Sequence, residues 1–146
     1  MKPLFALLCA ILPLAACGSD PAPRVPTPTP AVETRSPEEA AALEAARAFL
    51  AAFEARDSAS LGALMAESWR SGSGAEWLAE FGGTASVRVV SLSVDRPRPG
   101  PPGAIHVVVR LDVRPAQPHY PWTPGENTRV IQLISENGHW KVAALA

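Results

Sequence analysis

Thiols, imidazoles and carboxylates carry most side-chain chemistry, and this chain places few of them where they can cooperate. Its two cysteines, Cys9 and Cys17, both fall within the first seventeen residues. Everything after them is cysteine-free, which excludes a disulfide framework for the remainder. The three histidines are His106, His119 and His139. None has a carboxylate or second histidine at metal-ligand spacing, so surface histidines and no metal are expected. The "GSG" at 72–74 lacks the preceding strand and following lysine of a phosphate-cradling loop. No serine stands in a G-x-S-x-G elbow. Arg110 and Asp112 stand two residues apart in "AIHVVVRLDVR", where a solvated pair is the simple expectation. A general base at Asp112 would first have to face a pocket. No catalytic residue and no cofactor are implied.

The loop "PAQPHYPWTPGEN" at 115–127 is the candidate binding element. It places His119, Tyr120 and Trp122 among four prolines. Prolines stiffen the loop, so its rings are either presented to solvent as rigid anchors or folded back as a lid on the core. The second arrangement is the simpler one, since single surface aromatics are ordinary.

The elements that position these residues follow from composition and pattern. At 146 residues the chain has room for one domain and a tail. Hydrophobic residues make up 47% and charged residues 18%, enough apolar surface for a core. The net charge is −1, with no basic cluster, which disfavours nucleic acid as a partner.

Residues 1–16 carry one lysine and then "LFALLCAILPLAA", an apolar run ending in small residues. This is the layout of a secretory signal peptide. It is shorter than the roughly 20 residues a spanning helix needs, and Pro13 interrupts it. The closing Leu14-Ala15-Ala16-Cys17 resembles the lipobox of bacterial lipoproteins. That resemblance implies cleavage between Ala16 and Cys17, a diacylglyceryl group on the Cys17 thiol and a third acyl chain on the new amine. Two or more chains anchor firmly where one does not. The implied location is the cell envelope, with the membrane as a partner through the lipid on Cys17. Gly18 follows where an Asp would resemble an inner-membrane retention signal, which favours the outer membrane if the organism is Gram-negative.

After the acylated cysteine, residues 17–35 form an expected tether. "GSDPAPRVPTPTPAVETR" holds five prolines among small and polar residues and shows no apolar period. Such composition is extended, disordered and coreless, reaching roughly 55 Å at about 3.1 Å per residue.

Residues 36–146 read as the folded domain. Ser36-Pro37-Glu38-Glu39 is a capping box with Pro at the first helical position. Leu43, Ala46, Leu50 and Phe53 then recur on one face to about Arg56. Asp57 or Ser58 caps a second helix carrying Leu61, Leu64 and Met65. Ser73 with Glu76 opens a third, and Gly82-Gly83 ends it. The period then changes to two. Strands are expected near 87–95, 104–114, 128–135 and 139–145. Ile105, Val107, Val109, Leu111 and Val113 share one face; His106, Val108, Arg110 and Asp112 share the other. Asn137-Gly138 is a strong hairpin turn, pairing Glu136 with His139, Ser135 with Trp140, Leu133 with Val142 and Ile131 with Ala144. The fold class is α+β: three N-terminal helices packed on a curved antiparallel sheet of about four strands, cone-like. Residues 36–83 hold eight acids and three bases, whereas residues 84–146 hold four acids and seven bases.

"AARAFLAAFEARDSASLGALM" (45–65) and "ENGHWKVAAL" (136–145) resemble the nuclear-transport-factor-two-like superfamily over roughly residues 38–146. The resemblance implies a cone-shaped domain with an apolar interior, in a superfamily of isomerases, dehydratases and non-catalytic domains. Isomerase-like members place an Asp or His inside the cone; here the inner face of 105–113 is aliphatic. The reading is therefore a membrane-anchored envelope lipoprotein that binds a small apolar ligand or an envelope protein without catalysis. The alternative is a small isomerase- or dehydratase-type enzyme using the same interior. Members often dimerise through the outer sheet face; His106, Arg110 and Lys141 leave that face only partly apolar, so a homodimer stays open.

Overall fold

A computed structural model of the chain describes residues 35–79, 81–95, 100–117 and 122–146. The expected signal segment and most of the expected tether lie outside the described residues. Helix α1 (Pro37–Glu54) starts as its sequence requires: the Ser36 hydroxyl accepts from Glu39 N–H, and the Glu39 carboxylate accepts from Ser36 N–H. Its apolar face buries Leu43, Ala46, Phe49, Leu50 and Phe53. Arg56 follows in the left-handed region at φ 59° and ends the helix. Asp57 then caps α2 (Ser58–Leu64). α3 (Glu67–Arg70) is a single turn not expected from the sequence. Its Glu67 N–H is held by the carboxylate of Glu136, 69 residues away, so the stabilising contact is tertiary. α4 (Ser73–Ala79) begins at Ser73 itself, so that residue stands inside the helix and not at its cap. A 3-10 turn, Phe81–Gly83, leads into the sheet.

Four antiparallel strands follow in simple order: β1 (Thr84–Asp95), β2 (Ile105–Pro115), β3 (Gly125–Glu136) and β4 (His139–Leu145). The fold is thus α+β, with a helical layer against one face of an open four-stranded sheet. Val107, Val109, Leu111 and Val113 are buried in phase with Ile131, Leu133 and Val142. That is the core face expected from the two-residue period.

The hairpin keeps its expected register from Glu136–His139 to Leu133–Val142. Beyond that the register shifts, so Ala144 lies opposite Gln132 and Leu145 opposite Ile131. The expected Ile131–Ala144 pair is therefore corrected. The extra residue, Ala143, is a bulge, and it exchanges a small alanine for the larger Leu145 at the core position. The chain end closes this pairing through Ala146 N–H to Val130 O and Val130 N–H to Ala146 O.

Candidate functional site

The helix-facing side of the sheet is the place to look for a site, because it is where the layers enclose side chains. Its described residues are mostly aliphatic. Phe49, Phe53, Trp69, Trp77 and Trp122 fill the space between the helices and this face. Phe53 lies 5.1 Å from Trp77 and 6.2 Å from Trp122, while Trp69 and Trp77 lie 5.4 Å apart, measured between ring centroids. Tilted rings at these spacings gain quadrupole attraction beyond their area burial.

Toward the 115–127 loop Asn127 and Arg129 interrupt this face, both in phase with Ile131 and Leu133 on β3, while Thr84 on β1 and Ser135 on β3 are polar positions elsewhere on it. Asn127 is buried and fully used. Its amide donates to Thr123 O and Gly125 O, each at 2.8 Å, and its carbonyl accepts from Thr123 N–H at 3.2 Å. It therefore holds the end of the 115–127 loop in place. Arg129 is half-buried, and its guanidinium carbon stands 4.7 Å from the Trp122 ring centroid. A guanidinium over an indole face is drawn to the negative side of its quadrupole.

Trp122 itself is 3% exposed. It packs on Phe53 and is not a solvent-facing anchor. Its indole Nε1–H is buried without a hydrogen-bond partner. A buried donor left unpaired costs about 1–3 kcal/mol, so this group marks a point where an acceptor would be gained. His119 and Tyr120 lie outside the described residues, as do Ala16 and Cys17.

The remaining candidates sit on the opposite face. Asp112 and Arg110 do not pair with each other. Asp112 accepts from Arg88 on β1 at 2.9 Å, and Arg110 pairs with Glu126 on β3. Arg88 stands directly opposite Asp112, closer than a residue two along the strand, whereas Arg110 reaches diagonally to Glu126, the residue opposite Asp112. The carboxylate beside it raises the Arg88 pKa above its ordinary value, chiefly through the hydrogen bond. His139 is exposed beside the hairpin turn. His106 departs from expectation: it is only 8% exposed. It lies on the outer face, where the β1–β2 connection covers it so closely that a Cβ added at Gly100 would stand 2.7 Å from the imidazole. It does not face the aromatic interior.

Sequence reasoning overlooked Arg129 and Asn127, although the signal was present. Both fall in phase with Ile131 and Leu133, so the two-residue period places them on the inner face. Among the described residues no group of His, Cys, Asp or Glu is arranged to hold a metal, and no helix is long and apolar enough to cross a membrane.

No protein-family model and no curated protein matches this sequence. Among solved structures, the chain is similar to one from Thiobacillus denitrificans assigned as a calcium/calmodulin-dependent protein kinase type II association domain. The identity is 18% and the TM-score 0.47, covering 69% of this chain and 88% of that one. The class defined by the coordinates themselves is an α+β domain with helices on one face of an open antiparallel sheet.

Proposed function

We propose that this chain is a lipid-anchored envelope protein whose domain, of the nuclear-transport-factor-two-like kind, binds a small, largely apolar ligand without catalysing its conversion. The anchor reading rests on the Leu14-Ala15-Ala16-Cys17 lipobox and the proline-rich stretch behind it. The observation that carries the binding reading is the Trp122–Arg129 contact on the inner face: a cation stacked on an indole whose N–H has no acceptor. An apolar ligand with one acceptor group, such as a carboxylate, would satisfy that donor and meet the guanidinium; because Phe53 and Trp122 are 0% and 3% exposed, its body enters only by parting those rings.

Proton-shuttle chemistry needs a carboxylate or imidazole on that face. The described residues of the β-sheet's inner face offer none, with Asp112 and His106 both directed outward. The isomerase alternative draws no support from this arrangement.

The test is a tryptophan-fluorescence titration of the full chain with decanoate and with decanol. Decanoate is expected to bind saturably and more tightly than decanol, with Arg129→Met weakening decanoate by about tenfold or more, the scale of one charge-assisted contact. Absence of a saturable response in the unmodified chain would overturn the reading.

A further inference from the structure

The two edges of the sheet are treated differently. β4 is covered: Met65 forms a parallel bridge with Val142, and Ala66 N–H donates to Val142 O at 2.8 Å. Along β1, a strand of 12 residues, no described strand pairs with the outer side. An open edge of that length presents a row of backbone donors and acceptors and is a template for another strand.

Two features coincide halfway along it. The register with β2 slips between Val89 and Ser91, so Val90 is bulged and stands 42% exposed. At the same place Val89 directs its N–H not to a strand but to the Glu54 carboxylate, at 2.5 Å. Glu54 is the last residue of α1, so the helix carries a negative charge across the inner layer to the sheet edge. An incoming strand would have to displace that carboxylate from its donor before its own carbonyl could take the Val89 N–H. It would also have to follow a kinked register.

We infer that Glu54 is an edge guard: with the Val90 bulge, it closes β1 against antiparallel pairing with β1 of a second copy of this chain. The second copy is the relevant intruder because an identical strand is available at the same concentration as the first. A two-fold axis through the edge would join the two sheets into one. This inference does not depend on the ligand-binding proposal.

The test compares the full chain with Glu54→Ala, Glu54→Gln and the double variant Glu54→Ala/Val90→Lys. Sedimentation equilibrium gives the association state, and amide exchange at Ser91–Val94 reports the edge. Glu54→Ala is expected to self-associate about tenfold more tightly or better, with slowed exchange along β1. Glu54→Gln keeps a carbonyl acceptor for Val89 N–H and is expected to stay close to the unmodified chain. Lysine at position 90 blocks the edge by a different device, a charge at its exposed bulge, and is expected to reverse the association. Glu54 is exposed and its donor becomes accessible to water, so circular dichroism is expected to be unchanged in all variants. Two results would overturn the inference: Glu54→Ala with the association state of the unmodified chain, or association that leaves β1 exchange unaltered.

Discussion

Arg56 clasps Thr84 across 28 residues of chain. Its Nη1 donates to the Thr84 carbonyl at 2.5 Å and to the Thr84 hydroxyl at 3.0 Å, while the guanidinium lies 4.2 Å over the Phe81 ring. Thr84 is buried and passes the connection on by donating to Phe81 O at 2.9 Å. The end of α1 is thereby fixed to the first residue of β1, and the left-handed backbone at Arg56 is held in place by what its side chain grips.

Removing that grip should be felt globally. Arg56→Ala is expected to destabilise the domain by about 2 kcal/mol, the scale of hydrogen bonds from a charged donor. Arg56→Lys should recover only part of this, because an ammonium lacks the planar group that lies over the Phe81 ring. Denaturant unfolding with an unchanged slope is the measurement. A shift within about 0.5 kcal/mol, the range of ordinary surface substitutions, would show that the clasp is incidental.

Asp57 makes α2 sensitive to acid. Its carboxylate accepts from the Ser60 hydroxyl at 2.5 Å and from Ser60 N–H at 3.1 Å. The Ser60 side-chain bond, followed by the backbone bond, lowers its pKa below the ordinary 3.8. A pKa lowered by folding means that the folded state binds the proton less well than the unfolded state. The stabilisation is then complete above 3.8 and disappears as pH falls through the folded value. Asp57→Ala is therefore expected to lower the melting temperature at neutral pH, with the gap to the unmodified protein closing below that range. Thermal unfolding at stepped pH checks it; a gap that is constant with pH would contradict the capping account.

The proposed lipid anchor at Cys17 makes a prediction about processing. Cys17→Ser should leave an unprocessed precursor that takes up no lipid label when expressed in a bacterium with the lipoprotein pathway. Labelled fatty acid followed by gel mobility reads the result. A mature-sized, labelled product from the variant would exclude Cys17 as the acylation site.

Much of the fold was legible because its signals are local. Ser36 and Glu39 form their capping box within one helical turn. Asn137 and Gly138 both take positive φ, 52° and 78°, as a tight hairpin turn needs. Val107, Val109 and Val113 of β2 fall on the core face that alternation assigns them. What was missed depends on distant partners. The turn α3 rests on Glu136, the burial of His106 on a chain crossing at Gly100, and the pairing of Asp112 on Arg88 of a neighbouring strand. The candidate site was half visible: Trp122 stood out as an aromatic in a proline-rich loop, whereas Arg129 was hidden in a strand whose period already marked its face.

The sequence alone determined that helices precede strands, the caps of α1 and α2, the hairpin turn and the inward face of β2 and of the hairpin next to its turn. These follow from steric and hydrogen-bonding preferences acting over two to four residues. Only the tertiary structure decided which charges meet, which edge of the sheet is covered, and whether Trp122 faces water or Phe53. Those outcomes come from packing between segments tens of residues apart, where the shape of the whole layer selects among locally equivalent choices.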